Sequence, residues 1–244
     1  MVEAMRLLEY QAKSLFDEYG ITIPKRYIAN NFDAIKKGAE ELGFPLVLKA
    51  QLKVGGRGKA GVIKICKKPE ELKILYDDLT SKTVQGEKVK TLLMEEFAEH
   101  TNELYLSIYL NRSKRCYSII ASAEGGIEIE NVGDKIILDT GIDGPTEKDL
   151  EYIASELTLN GNSKKNFIEF ASRLTNLVVK KEAELAEINP IAVRNDGTLL
   201  ALDGKVIIDD NAMFRHEEMN KYEDIATLEA EAKKSGFSLI ELDG

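Results

Sequence analysis

The sequence predicts an α+β protein built as two α+β subdomains with a ligand cleft between them. Three observations carry that prediction. Strand-like and helix-like segments alternate in a β-α-β-β-α-β order over residues 26 to 97. From Glu103 onward, long antiparallel strand pairs replace that pattern. The early helical segments stop at glycines, Gly20 and Gly43, which suit the left-handed residue that ends a helix. The boundary falls near residue 100, giving a smaller subdomain of about 24–102 and a larger one of about 1–23 plus 103–235.

The elements follow in order. The first helix is expected over about Arg6–Tyr19, before Gly20. Ile21–Pro24 and Arg26–Ala29 read as short extended stretches, and Asp33–Leu42 as a second helix ended by Gly43. Leu46–Ala50 and Val62–Cys66 are apolar and β-branched, so they read as strands joined by a glycine-dense loop. Pro69 suits the first turn of a helix reaching about Thr80, and Lys90–Phe97 is a strand ending in acids. In the larger part, Glu103–Asn111 and Arg115–Ala121 flank a turn at Arg112-Ser113-Lys114. Glu147–Thr158 and Ser163–Lys181 are helices, and Leu185–Arg194 and Thr198–Ile208 are strands. Glu223–Lys234 is an amphipathic helix capped by Gly236.

At 244 residues the chain can bury about 70–75% of its extended surface, without disulfide or metal staples. A formal net charge of −9 argues against general binding to nucleic acid or an anionic membrane. No apolar run approaches the ~18 residues of a spanning helix. Cys66 and Cys116 lie in strands with no framework of spacings and read as buried thiols of a reducing compartment. Met1–Phe16 lacks the continuous apolar core of a signal peptide, so the cytoplasm is the expected location. His100 and His216 are the only histidines, and they form no Cys/His metal set or Ser-His-Asp arrangement.

Against this acidic background, residues 42 to 69 carry Lys49, Lys53, Arg57, Lys59, Lys64, Lys67 and Lys68 and no acid. At their centre lies Gly55-Gly56-Arg57-Gly58-Lys59-Ala60-Gly61. Glycines let backbone N–H groups approach phosphate oxygens, and the cations neutralise the charge, so the loop is a candidate polyphosphate cradle. A flexible hairpin with solvated lysines is the competing reading. Gly56-x-Gly58-x-x-Gly61 also fits the dinucleotide fingerprint, but that motif needs a helix after its glycines. A strand follows here instead, which makes the loop a flap of the kind that covers phosphates in kinases.

The second chemical signal is a hairpin. Ala186-Glu187-Ile188-Asn189-Pro190-Ile191 is paired with Leu200-Ala201-Leu202-Asp203-Gly204-Lys205 around the turn Asn195-Asp196-Gly197. Asn189 and Asp203 are equidistant from Asp196, so in that register their Cβ atoms lie about 4.5–5.5 Å apart. Glu187, two residues earlier, faces the same side. A hard dication such as Mg²⁺ takes one or two such oxygen ligands plus phosphates and water. Strict alternation places Ile191, Val193 and Leu199 on this face too, so the face is not simply solvated. A one-residue slip would break the arrangement.

Taken together, several segments resemble the ATP-grasp part of succinyl-CoA synthetase β subunits. They are Leu8-Glu9-Tyr10-Gln11-Ala12-Lys13, the glycine loop, Glu124-Gly125-Gly126-Ile127-Glu128-Ile129-Glu130, Glu187-Ile188-Asn189-Pro190, Leu202-Asp203-Gly204-Lys205 and Asn211-Ala212-Met213-Phe214-Arg215. The resemblance covers about residues 5 to 244 in order. It implies an ATP-grasp fold with the nucleotide (ATP/ADP or GTP/GDP) between the two subdomains. It also implies the reaction succinate + CoA + NTP ⇌ succinyl-CoA + NDP + phosphate, through a phosphohistidine on a separate α subunit that binds CoA.

On the family's pattern Lys49, Gly56, Arg57 and Gly58 contact nucleotide phosphates, Glu95 to Ala98 lie against the base, and Glu103 bonds the ribose. Asn189 and Asp203 bind Mg²⁺, and Glu187 meets the phosphohistidine. Neither His100 nor His216 matches the phosphorylated position, in keeping with a histidine supplied by the partner. Leu8 departs from the family's usual histidine. The sequence ends at Leu242-Asp243-Gly244, where the family continues into a second domain, so residues 236–244 are expected to begin that connection. Alone, the chain is then expected to bind nucleotide and metal without making thioester. A malate–CoA ligase or other acyl-CoA ligase, a non-catalytic nucleotide-binding module, and an acylphosphate-forming ATP-grasp enzyme are the alternatives.

Overall fold

A computed structural model describes residues 5–53, 58 and 60–222. The expected helix at Glu223–Lys234 and the loop residues Gly56 and Arg57 lie outside them. Two larger antiparallel sheets organise the rest. The smaller is built from β2 (Arg26–Ala29), β3 (Leu46–Ala50), β4 (Ile63–Cys66) and β7 (Leu92–Glu96), in the order β2-β7-β3-β4. Helices α2 (Phe32–Leu42) and α3 (Leu72–Ser81) cover it through Ile35, Ala39, Leu72 and Leu79, which share a core with Leu46, Leu48 and Met94. Gly38 permits the close approach of α2, since a Cβ there would lie 2.7 Å from Tyr27 and 2.8 Å from the Met94 sulfur.

The larger sheet has seven strands in the order β1-β13-β11-β8-β9-β10, with β12 also paired to β11. These are β1 (Met5–Arg6), β8 (Asn102–Asn111), β9 (Cys116–Ser122), β10 (Ile136–Asp139), β11 (Ala183–Val193), β12 (Leu199–Ala201) and β13 (Gly204–Ile208). Helices α1 (Glu9–Glu18), α4 (Glu147–Glu156) and α5 (Gly161–Lys180) pack on one face. In β8 the even residues Leu104, Leu106 and Ile108 enter that core, which leaves Glu103, Tyr105 and Ser107 on the other face. Alternation thus divides the sheet into a packed side and a side that carries chemistry.

Several elements differ from the sequence expectation for local reasons. Helix α1 begins at Glu9 rather than Arg6, because Met5 and Arg6 pair with Ile208 and Ile207. Its start is closed by the Gln11 side chain, which accepts from the Leu8 N–H at 2.8 Å in place of a hydroxyl cap. A small hairpin, β5 (Thr83–Val84) with β6 (Glu87–Lys88), was not expected; its turn sets Gln85 and Gly86 at positive φ, 49° and 85°. Strand β10 was also missed. Cys66 and Cys116 are buried and free.

The long final strand divides at Leu202–Asp203, between β12 and β13. Strand β11 runs unbroken opposite that gap, and the register is the same on both sides of it. Ile188 opposes Gly204 and Ile191 opposes Ala201, and the Asn189 N–H reaches the Asp203 carbonyl at 3.3 Å. Against β8, however, β11 carries an irregularity between Ile188 and Ile191, at the Asn189–Pro190 bond. That irregularity corrects the alternation read from sequence. Ile191, Val193 and Leu199 side with Ile188 in the helix-covered core, while Ala192 and Leu200 pack with Ala98 on the opposite side.

Gly204 is the close-packing point beside Asp203. A Cβ there would lie 2.2 Å from the Phe16 ring of α1. Gly204→Ala should lower stability by about 1–3 kcal/mol through that overlap, read as a shift in denaturation midpoint. An unchanged midpoint would mean that α1 does not clamp this turn.

Candidate functional site

Four charged side chains meet where the two sheets adjoin. Glu9 and Lys13 are one helical turn apart on α1, so they project together; Lys49 comes from β3 and Glu95 from β7. All four are buried, Lys13 with none of its surface exposed. The Lys13 Nζ pairs with Glu95 and lies 3.1 Å from Glu9. The Lys49 Nζ lies 3.0 Å from Glu9 and 2.8 Å from Glu95. Both ammonium groups also donate to the Leu202 carbonyl, Lys13 at 2.7 Å. Two acids and two bases thus neutralise each other while fastening the small sheet to the turn that carries Asp203.

For Lys49, burial opposes the charge, but Glu9, Glu95 and Asp203 outweigh it and hold the ammonium above the usual lysine range. For Lys13, burial wins with the help of Lys49 and pulls the group below that range against Glu95 and Glu9. Gln51 completes the joint: its side-chain oxygen accepts from the Tyr10 N–H at 3.0 Å, and its amide nitrogen donates to Lys49 O at 3.2 Å.

Next to this joint, Glu187 opposes Lys205 on β13 and Ser107 on β8. Glu187, Asn189 and Lys205, with Glu128, Ile129 and Glu130, line a cavity of about 440 Å³. Burial lifts the Glu187 carboxyl above the usual carboxylate range, against hydrogen bonding from Tyr105 and the charge of Lys205. The Tyr105 hydroxyl donates to Glu187 Oε2 at 3.0 Å, and burial pushes that phenol upward, so it remains a donor. Asn189 is held at both ends of its amide. Its Oδ1 accepts from the Gly126 N–H at 2.7 Å and its Nδ2 donates to Ile127 O at 2.8 Å. Asp203 Oδ1 accepts from the Gly204 N–H at 2.7 Å. Asn189 and Asp203 are therefore neighbours across the hairpin, and the loop 124–127 is a third element at the same point.

A second cavity, of about 340 Å³, lies along the segment joining the sheets and is lined by Phe97, Ala98, Glu99, His100, Thr101 and Asn195. Ala98 lines this cavity. The Glu95 carboxylate is turned instead into the four-charge joint. Glu103 lies at the start of β8, with its Oε1 2.9 Å from His100 Nε2. Gly58 is exposed in a turn whose carbonyl accepts from the Gly61 N–H at 3.0 Å.

Sequence reasoning singled out Lys49 and Glu187 but missed Lys13, Gln51, Tyr105 and His100. The spacing of Glu9 and Lys13 puts them on one helix face, yet nothing local shows that β7 will bury them. Tyr105 was within reach, since it shares the β8 face with Ser107, the cross-strand partner of Glu187.

The sequence matches the ATP-grasp domain over residues 6–193. The chain belongs to the ATP-grasp family. Similar ATP-grasp chains are the β subunits of ADP-forming succinate–CoA ligases. That of Aquifex aeolicus is 42% identical over 98% of this chain, that of Geobacter sulfurreducens 40% and that of Pyrobaculum islandicum 38%. In each case this chain spans 66% of the relative's length. The same ATP-grasp fold occurs in the dinucleotide-forming acetyl-coenzyme A synthetase 1 of Ca. Korarchaeum cryptofilum. The TM-score is 0.72 at 20% identity, covering 83% of this chain and 93% of that one. It also occurs in the ATP citrate lyase of Methanothrix soehngenii, with a TM-score of 0.72 at 20% identity over 95% of this chain and 60% of that one. Among the described residues, no helix is long and apolar enough to cross a membrane.

Proposed function

We propose that this chain is the nucleotide-handling part of an ADP-forming succinate–CoA ligase β subunit. It exchanges a phosphoryl group between a nucleoside tri- or diphosphate and a phosphohistidine on a CoA-binding α subunit. The observation that carries this reading is the placement of Glu187: a half-buried carboxyl, fixed by Tyr105, facing the same cavity as Asn189. Burial holds its carboxyl above the usual carboxylate range. A carboxylate in that position can orient the partner's ring and support the charge it acquires.

Phosphoryl transfer needs in-line positioning and neutralisation of a spreading negative charge. Lys49, kept charged by its partners, supplies a cation at the joint, and the glycine loop with Gly56, Arg57 and Gly58 closes over the phosphates from the small sheet. Ala98 lies along the base and Glu103 meets the sugar. Asn189 and Asp203 fit a hard cation. The Asn189 amide oxygen has one lone pair engaged by Gly126 and one remaining, and both residues sit at one point of the hairpin. Mg²⁺ held by these two residues would offset the negative charge of the phosphates. Succinate activation and thioester formation belong to the assembled two-subunit enzyme, and the cytoplasm is its proposed location.

The metal pair has a direct test. Asp203→Asn should weaken Mg²⁺-dependent ADP binding by about 10-fold or more, the loss expected for one charged interaction. Asp196→Asn, at the hairpin turn, should change it less than ~3-fold. Titration calorimetry of both variants decides the matter. Equal effects would remove Asp203 from the metal site.

A further inference from the structure

His100 lines the cavity along the segment that joins the sheets and has no part in the reading above. It sits in the segment that crosses between the sheets, which is anchored by Thr101: its N–H and hydroxyl both donate to Val193 O, at 3.0 and 3.1 Å. From that fixed base the ring bridges two oxygens. Its Nδ1 lies 2.8 Å from Ala98 O and its Nε2 lies 2.9 Å from Glu103 Oε1. Both ring nitrogens therefore face oxygens.

The other Glu103 oxygen rests against Gly126, where a Cβ would lie 2.3 Å from Oε2. Gly126 is itself tied to Asn189 and takes φ +77°, a backbone conformation that favours glycine. The Glu103 carboxylate is thus gripped from two sides, by a ring on one and a bare backbone on the other. About a third of its side-chain surface stays open, 35%, with His100 at 23%. An exposed glutamate on a strand end otherwise samples several rotamers, and a mobile carboxylate reads a diol poorly.

We propose that His100 is a specificity-determining positioning residue: it locks the Glu103 carboxylate in one orientation, so that this pocket distinguishes ribonucleotides from deoxyribonucleotides. The proposal rests on the reading of Glu103 as the sugar contact. A carboxylate held still accepts from both hydroxyls of a ribose. Removing one hydroxyl then forfeits a hydrogen bond to a charged group, a loss of about 10- to 100-fold in affinity.

The test is titration calorimetry of the 244-residue chain with Mg²⁺ and ADP, 2′-deoxy-ADP or 3′-deoxy-ADP. Wild type, His100→Phe and His100→Gln are compared. Phenylalanine keeps a ring but removes both nitrogens; glutamine restores one donor toward Glu103. Wild type should prefer ADP over at least one deoxy analogue by about 10-fold or more. In His100→Phe that ratio should fall to within ~3-fold, with an unchanged denaturation midpoint reporting that the chain is folded. Glutamine should recover part of the ratio. A His100→Phe chain that keeps the wild-type ratio would overturn the role of His100 alone. A wild type that binds ADP and both deoxy analogues equally would overturn the sugar contact of Glu103, and the role of His100 with it.

Discussion

Replacing Lys13 with methionine lowers the melting temperature by about 6–20 °C. The expectation follows from leaving a buried ion cluster short of one cation, which costs about 3–5 kcal/mol, at ~2–4 °C per kcal/mol for a chain of this size. Methionine is close to lysine in length and fills the same channel, so the loss is electrostatic rather than a cavity effect. In the native joint Lys13 and Lys49 balance Glu9 and Glu95, with essentially none of the four carboxylate and ammonium groups in water. Without Lys13, two carboxylates share Lys49, and the Leu202 carbonyl loses one of its two donors. ADP affinity should fall as well, because one more uncompensated negative charge then lies beside the phosphates. The double substitution Lys13→Met with Glu95→Gln restores neutrality and should recover part of the stability, a coupling that thermal denaturation of the four chains measures. A Lys13→Met shift below ~2 °C would show that the joint does not hold the two sheets together.

Replacing Glu187 with glutamine separates function from stability. The phosphoryl-transfer rate should fall about 10²- to 10⁴-fold, the usual contribution of a positioned acid–base group. The melting temperature at neutral pH should not fall. A carboxyl held above its unfolded value costs stability once the pH passes that unfolded value, and the neutral amide removes the cost. Tyr105 still has an oxygen to donate to. Rapid-quench measurement of phosphohistidine loss, with denaturation run alongside, distinguishes the two effects. A variant that loses stability and activity together would make Glu187 a structural residue.

What could be read from the sequence tracks how local each interaction is. The Asn189–Asp203 pairing depends on one hairpin turn, and its register follows from counting outward from Asp196; the backbone bond from Asn189 to Asp203 has that register. The faces of Ile191 and Val193 could not be counted the same way, because the irregularity at Pro190 reverses the alternation. Loop 124–127 reaches Asn189 from more than sixty residues away in sequence, and no spacing announces it. The four-charge joint is less legible still. Glu9, Lys13, Lys49 and Glu95 come from three elements, helix α1 and strands β3 and β7 of the small sheet, and each looks like an ordinary surface charge until helix and sheet meet. Glu95 shows the consequence: its neighbour Ala98 lines the pocket, while its own side chain points into the joint. His100 has no local sequence signal, because its contact with Glu103 is set by how the segment between the sheets folds.

The central claim is that this chain returns a phosphoryl group from a partner's histidine to a nucleotide. The most direct measurement mixes it, in its complete β subunit, with α subunit phosphorylated on histidine, Mg²⁺ and ADP, and follows a single turnover. The account predicts stoichiometric ATP with matching loss of phosphohistidine, abolished by Glu187→Gln. A docked complex that binds ADP yet leaves the phosphohistidine intact would contradict it.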